Sequence, residues 1–376
     1  MKYNLVNWCE GMYTDSSHFK QSENHFIEMD AKNLSISLGK YKYGLLPPQS
    51  DEKSSNQIQI QETVTGSIKI CLLKCNAVTN GGYYIQFSPS PEEYLIKTLT
   101  PDTDNNASEW SILLTVNPYL RVPYGIPDEK EDPPRHPDVV PQIKLSILKV
   151  TEINYQTLDA CQLIIGKIKR NGQKYLIDNS FIPPCTNMMA HPSLISYYNK
   201  FGSMLETLEK DSMNIIQKIQ NKEISSPLAQ HIESICRELI KYIASLYFSF
   251  RNTGLLWSPI EITNCFSCLA HVYYINLAYI TARDREELFN YFYEWEETTP
   301  GTFNTRIKNA VELEYDHNNL SLMMETIDGF ISTLARLWSK LSQLEYIGQH
   351  KESIIISEKI IQQEKQNNKR WNRILG

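Results

Sequence analysis

Positive charge is scarce in this sequence. Its 376 residues carry 37 Lys and Arg against 43 Asp and Glu, a formal net charge of -6. Neutralising a phosphate backbone needs a basic face, so no nucleic-acid partner is expected. Long apolar runs are missing as well. The best approach to a bilayer span, residues 265–282, is broken by Ser267, His271 and Asn276. The first residues are polar and acidic where a signal peptide would place an apolar run. No repeat at solenoid periods is visible, which excludes a stacked-repeat architecture.

Catalytic signatures are equally thin. There is no GxSxG, HExxH or kinase-type set. Gly166-Lys167 follows an apolar run but lacks the upstream glycine and the Ser/Thr of a phosphate loop. The acidic clusters at residues 129–132 and 293–297 read as solvated faces, because a catalytic carboxylate needs burial to shift its pKa. The eight cysteines (Cys9, Cys71, Cys75, Cys161, Cys185, Cys236, Cys265 and Cys268) are scattered, mostly within apolar runs. That is the pattern of buried free thiols and not of a disulfide framework. Cys71 and Cys75 fall on one face of a strand. Cys265, Cys268 and His271 alone resemble a metal site, since steps of three share a helical face. Without a second CxxC, and on a helix apolar nearly all round, they read as core. The expectation is a cytoplasmic protein with no catalytic residue, no cofactor, no metal and no small-molecule substrate.

What is present divides near Pro183-Pro184. Before it, short apolar runs alternate with turns: residues 58–60, 66–73, 83–87, 110–116, 143–150 and 163–168. Period-two alternation bounded by Asn80-Gly81-Gly82 or proline reads as strand. Asn171-Gly172 marks a hairpin, since both residues accept positive φ. The proline-rich residues 122–141 cannot join a central ladder and read as an extended surface loop. The fold class is therefore multidomain β then α: an antiparallel β-sandwich or shell over residues 1–185, then an up-down helical bundle over 186–347 and a short tail over 348–376.

The bundle begins with a heptad seam. Leu194, Tyr198, Phe201, Leu205, Leu208, Ile215 and Ile219 recur in alternating steps of four and three, with Ser212 in the gap. So regular a seam often packs against copies of itself; the alternative is a seam used inside one chain's bundle. A second helix starts at Pro227 with Ser226 as N-cap. A third, from Pro259 to about Ala282, is expected to be buried, and a short aromatic helix covers residues 286–297. The last, Leu320 to Tyr346, turns Leu322, Ile327, Phe330, Leu334, Leu337, Leu341 and Leu344 inward.

The opening segment, residues 6–26, is neither a clean strand nor a leader. Its Trp8, Glu10-Gly11-Met12 turn and His18-Phe19 step with Gln21 resemble the N-terminal signature of the TssK (ImpJ/VasE) family of type VI secretion baseplate proteins. Tyr43-Gly44-Leu45 resembles that family's aromatic-Gly-Leu strand end. The hairpin of residues 161–185 and its Phe181-Ile182-Pro183-Pro184-Cys185 border follow in the family's order. Lys20, where glutamine is usual, and Thr14 to Ser17 depart from the pattern, and beyond Cys185 only the architecture is similar.

The resemblance implies a homotrimer with a coiled-coil-like neck. Its β shells would grip TssG in the TssF–TssG wedge and link it to the membrane complex, at the inner face of the inner membrane. Trp8, Glu10, Gly11, Met12, Tyr13, His18 and Phe19 become candidates for the wedge contact or for locking neighbouring shells. The alternative is that Trp8 and Phe19 merely staple the N-terminus onto the shell. The family normally adds a head domain after the bundle, and the residues following Tyr346 are too few for an independent core, so a short form is expected. Lys365, Lys369, Arg370, Trp371, Arg373 and Ile374 would then dock on a partner or a membrane. A β shell on a coiled neck is also how phage-tail-like fibres present receptor- or carbohydrate-binding sites, the second functional expectation.

Overall fold

The structure is a computed structural model describing residues 2–49, 54–63, 67–89, 93–99, 108–153, 158–172, 174–222, 226–296 and 298–351. The chain divides into two compact units. One comprises Met1–Ser196, Leu255–Ile262 and Tyr315–Met323; the other comprises Tyr197–Gly254, Thr263–Glu314 and Met324–Gly376. The first unit thus runs past the expected border at Cys185 and recruits two later segments.

The first unit opens with a helix absent from the sequence reading, α1 (Ser16–Leu38). Two antiparallel sheets follow. In the first, β3 (Ile68–Val78) pairs on one side with β1 (Gly44–Leu45) and β2 (Asn56–Glu62), and also with β4 (Tyr84–Phe87) and β5 (Leu95–Leu99). Being central, β3 buries nearly its whole length, which its apolar run allows. Cys71 and Cys75 are buried in it, and burial pushes the Cys75 thiol up to about 12. The second sheet has the order β7 (Asp138–Lys149), β6 (Glu109–Tyr124), β8 (Gln162–Asn171), β9 (Lys174–Ile177). Asn171 pairs with Lys174 across the expected hairpin, with Gly172 at φ +63°. The sheets meet where the amide of Asn56 donates to the Ile165 carbonyl at 2.7 Å.

The proline-rich segment differs from the expected loop. Its flanks form a two-stranded ribbon in which β6 and β7 stay paired from Arg121 with Pro141 to Tyr124 with Asp138. Among the described residues β8 pairs with Glu109 to Thr115 of β6, so the far end of β6, with Pro123, is held by β7 alone, the kind of edge where proline is tolerated.

The second unit is helical. Its elements lie on α2 (Pro192–Asn221), α3 (Pro227–Thr253), α4 (Pro259–Tyr279), α5 (Ala282–Trp295), α6 (Pro300–Val311) and α7 (Leu320–Gln343). Ser226 caps α3 as expected, accepting from Ala229 N at 3.2 Å. Beyond the expected short aromatic helix, Pro300-Gly301 begins a further one, α6: Thr299 is its N-cap and Pro300 its first residue, where a missing N–H is harmless. Aromatic rings fill the centre, Tyr273 lying 5.7 Å from Trp338 and 5.9 Å from Phe303. Two acidic side chains brought inside are paired. Asp211 accepts from Ser339 Oγ at 2.6 Å and Ser342 Oγ at 2.9 Å, and Glu296 meets Arg336 and Lys340.

Three expectations are corrected here. The heptad seam is not a face kept for other copies. Leu194, Phe201, Leu205, Leu208, Ile215 and Ile219 are each at most 5% exposed within the single chain. Phe201 rests 4.7 Å from Phe266 of α4, and Tyr198 stacks on Phe250 of α3 at 4.8 Å with its hydroxyl donating to the Phe250 carbonyl. Heptad spacing fixes which residues line a seam and says nothing about whose helices cover it. Next, α4 is buried on one face only, and its Cys268 is exposed. Finally, Leu322 is exposed, because it lies off the buried row of α7, which runs through Met323, Ile327, Phe330 and Leu334.

Candidate interaction surface

The motifs singled out in the sequence fall into a buried group and an exposed group. Tyr43-Gly44-Leu45 and Pro184-Cys185, far apart in the chain, lie side by side. Leu45 N donates to the Pro184 carbonyl at 2.7 Å, and Thr186 N donates to the Leu45 carbonyl at 3.0 Å. Gly44 adopts φ +113°, and a Cβ on it would stand 2.7 Å from Cys185 N and closer still to the Pro184 carbonyl. Only glycine fits. Tyr43 closes the junction: its carbonyl accepts from His317 Nε2 at 2.8 Å, while Tyr315 OH bonds His317 Nδ1 at 2.8 Å. Burial holds the His317 imidazole neutral, its pKa lowered to about 4. Cys185 is buried too, and burial pushes its thiol upward. These motifs serve the fold.

The N-terminal motif is largely exposed. Cys9 to Met12 form a four-residue turn closed by Met12 N to the Cys9 carbonyl at 3.3 Å, with Gly11 at φ +78°. Asp15 caps α1, accepting from Ser17 N at 2.7 Å, and His18 Nδ1 accepts from Asp15 N at 3.3 Å to complete a capping box. Ser17's hydroxyl and amide lower the Asp15 pKa. So His18 shapes the helix start and holds the Trp8 ring, 6.2 Å away; Phe19 sits 5.9 Å from the same ring. Trp8 is nonetheless 51% exposed, Phe19 58% and Tyr13 84%, with Glu10 and Gly11 also exposed and Met12 half-buried.

This cluster is mounted on a well-anchored helix. Gly82, at φ +81°, lets the α1 backbone approach; a Cβ there would lie 2.9 Å from Ser35 N and nearer to the Ala31 carbonyl. Arg121 of β6 binds Glu23 and donates to Asn24 Oδ1 at 3.0 Å. The Glu28 carboxylate accepts from the backbone N–H groups of Tyr3 at 2.9 Å and Lys2 at 2.8 Å, which hold its pKa down at about 2. Tyr3 lies 4.8 Å from the Tyr119 ring. The staple that ties the N-terminus down is thus Tyr3, His25 and Glu28, leaving Trp8 and Phe19 in water.

Sequence reasoning missed the anchors because they are polar. α1 buries His25, Glu28 and Ala31, and no apolar stripe marks it. The one readable signal was Asp15 three residues before His18. The tail residues Lys365, Lys369, Arg370, Trp371, Arg373 and Ile374 lie outside the described residues. Among the described residues no group of three or more His, Cys, Asp or Glu could hold a metal ion, and no helix is long and apolar enough to cross a membrane.

No protein-family model and no curated protein matches the chain. Solved structures do. A crystal structure of TssK matches with a TM-score of 0.53 and 18% identity, over 86% of this chain and 69% of that one. A chain of the baseplate complex from the type VI secretion system matches with a TM-score of 0.52 and 14% identity, over 90% of this chain and all of that one. A chain of the TssK-TssF-TssG baseplate subcomplex, seen by cryo-electron microscopy, gives a TM-score of 0.49 and 12% identity over 90% and 99%. This chain has the TssK fold.

Proposed function

We propose that the chain is a non-catalytic structural adaptor of a type VI secretion baseplate, a homotrimer linking the TssF–TssG wedge to the envelope-anchored complex. The observation that carries this reading is the exposed Trp8–Tyr13–Phe19 cluster on a chain with the TssK fold. Large aromatics held in water on a rigid mount are unfavourable unless a partner covers them, and Trp and Tyr dominate the binding energy of interfaces. The Asp15–His18 box and the Glu28 clamp fix the cluster's geometry before the partner arrives, which lowers the ordering cost of association. The cluster is the proposed clasp for TssG.

The adaptor would work in the cytoplasm at the inner face of the inner membrane. Its tail, through Lys365, Lys369, Arg370, Trp371, Arg373 and Ile374, would dock on the membrane side, a reading supported by the basic and aromatic composition of those residues. Deleting residues from Ile354 onward should abolish recruitment to the envelope; unchanged recruitment removes the tail from the mechanism.

Co-purification of the full chain with a TssG-like protein tests the clasp. Wild type should retain the partner, and the Trp8→Ala/Phe19→Ala double variant should lose it while melting at the same temperature. Equal retention by both would move the clasp elsewhere, and no retention by wild type would remove the adaptor reading.

A further inference from the structure

The helical unit carries a groove between α2 and α3, 440 Å³ in volume. Its floor is apolar. The Tyr198 and Phe250 rings stack there at 4.8 Å, and the buried Leu205 and Ile243 continue it. Gly202 leaves the floor without a side chain between the helices, where a Cβ would already stand 3.3 Å from Phe250 Cε1. The α2 rim is acidic, formed by Glu206 and Glu209, which are near one turn apart. Among the described residues neither carboxylate has an ion-pair partner. The cation on the α3 rim is turned elsewhere: Arg251 Nη1 donates to Tyr247 OH at 3.1 Å, with the guanidinium 5.9 Å from the same ring.

The sequence holds a segment of the opposite chemistry. Residues 365–375 carry Lys365, Lys369, Arg370 and Arg373 with no acid, together with the large apolar Trp371, Ile374 and Leu375. At helical spacing the three apolar residues share one face and Arg370, four before Ile374, flanks it. The segment also starts within reach. Gly348 N donates to Tyr291 OH at 3.1 Å and Lys351 N to the Glu294 carboxylate at 2.9 Å, and a Cβ on Gly348 would stand 2.9 Å from Ala229 N in the first turn of α3. From Ala229 the groove residues Ile243 to Arg251 lie about 21–33 Å along α3. Residues 352–364, fully extended, span up to about 43–47 Å.

We infer that residues 365–375 seat in the α2–α3 groove of their own chain, with Trp371, Ile374 and Leu375 on its floor and Arg370 at Glu206 and Glu209. Apolar side chains gain from leaving water for the floor, and a guanidinium is the cation best shaped to meet carboxylates. Tethered so close, the segment faces the groove at an effective concentration on the order of millimolar, which places it ahead of a free partner of the same chemistry. The inference does not need the adaptor reading. It adds a condition to it: a tail seated in the groove is not on the membrane side, so a docking partner must first displace it.

Two measurements on the full chain decide it. In a background without the exposed thiols, Cys9→Ser/Cys268→Ser, a short bis-maleimide should join Ser203→Cys, on the exposed edge of the groove, to Asn372→Cys. The linked peptides should come from the single-chain band of a denaturing gel, and adding Trp371→Ala/Ile374→Ala should cut their yield at least tenfold. Independently, trypsin should cleave after Arg370 at least tenfold faster in Glu206→Lys/Glu209→Lys than in wild type, with helical circular dichroism unchanged. Glu312→Lys, at an exposed position outside the groove, should keep the wild-type rate. Links formed only between chains would give the groove to a second copy. No link, with equal trypsin rates in all three proteins, would leave it to a free partner. Either result overturns the inference.

Discussion

Gly44→Ala probes the junction on which the first unit closes. The methyl would meet the Pro184 carbonyl and Cys185 N, both backbone atoms, so no rotamer change relieves the overlap. Residues 44–45 must move off residues 184–186, breaking the Leu45 N to Pro184 and Thr186 N to Leu45 bonds. Each bond contributes about 1 kcal/mol net, and a buried group left unpaired costs about 1–3 kcal/mol. A non-glycine residue in this φ region adds roughly 1–3 kcal/mol, bringing the sum to roughly 4–8 kcal/mol. At about 2–4 °C per kcal/mol for domains near 200 residues, the melting transition should fall by roughly 8–32 °C. Calorimetry on the full chain reads this directly. Gly11→Ala is the control: Gly11 also has positive φ but no atom within 4 Å of an added Cβ. It should show strain alone, about 1–2 kcal/mol. A Gly44→Ala transition within a few degrees of the Gly11→Ala transition would refute the close-approach argument.

Three further outcomes are expected. His317 has a folded pKa of about 4 against an unfolded value near 6.5, so between these the unfolded chain binds the extra proton and stability falls as pH falls, by on the order of 3 kcal/mol over the window. His317→Gln keeps a donor for the Tyr43 carbonyl and should flatten the urea midpoint from pH 7 to pH 5; equal slopes would exclude His317 as the titrating group. Leu208→Ala, in the seam, should cost about 2–5 kcal/mol. That loss should be independent of protein concentration, as befits a residue buried in its own chain, whereas a concentration-dependent loss would return the seam to the interface between copies. Trp8→Ala should change stability by no more than about 0.5 kcal/mol, as for other exposed sites, yet weaken capture of a TssG-like partner at least tenfold in a binding titration; intact affinity would count against Trp8 as an anchor.

The β-then-α order was legible because period-two runs with Asn-Gly and proline punctuation give way to heptad spacing, and Ser226-Pro227 announced its helix. Three features were not. α1 is held by Glu28, His25 and Arg121 through hydrogen bonds and an ion pair, which leave no apolar periodicity to read. The α2 seam looks the same in sequence whether its own chain or another copy covers it, so burial of Leu208 and Ile215 had to come from coordinates. α4 reads as buried all round because its outer row lacks charge, although that row faces outward. Of the candidate surface, the residues were legible from Trp8 to Phe19. Their division of labour was not, since His18 as a cap and Trp8 as an exposed ring differ only in geometry.

Native mass spectrometry of the full chain co-expressed with TssF-like and TssG-like proteins tests the adaptor account most directly. The expected spectrum contains an assembly with three copies of this chain bound to the wedge proteins. A spectrum holding single chains alone, with the wedge proteins running separately, would contradict it.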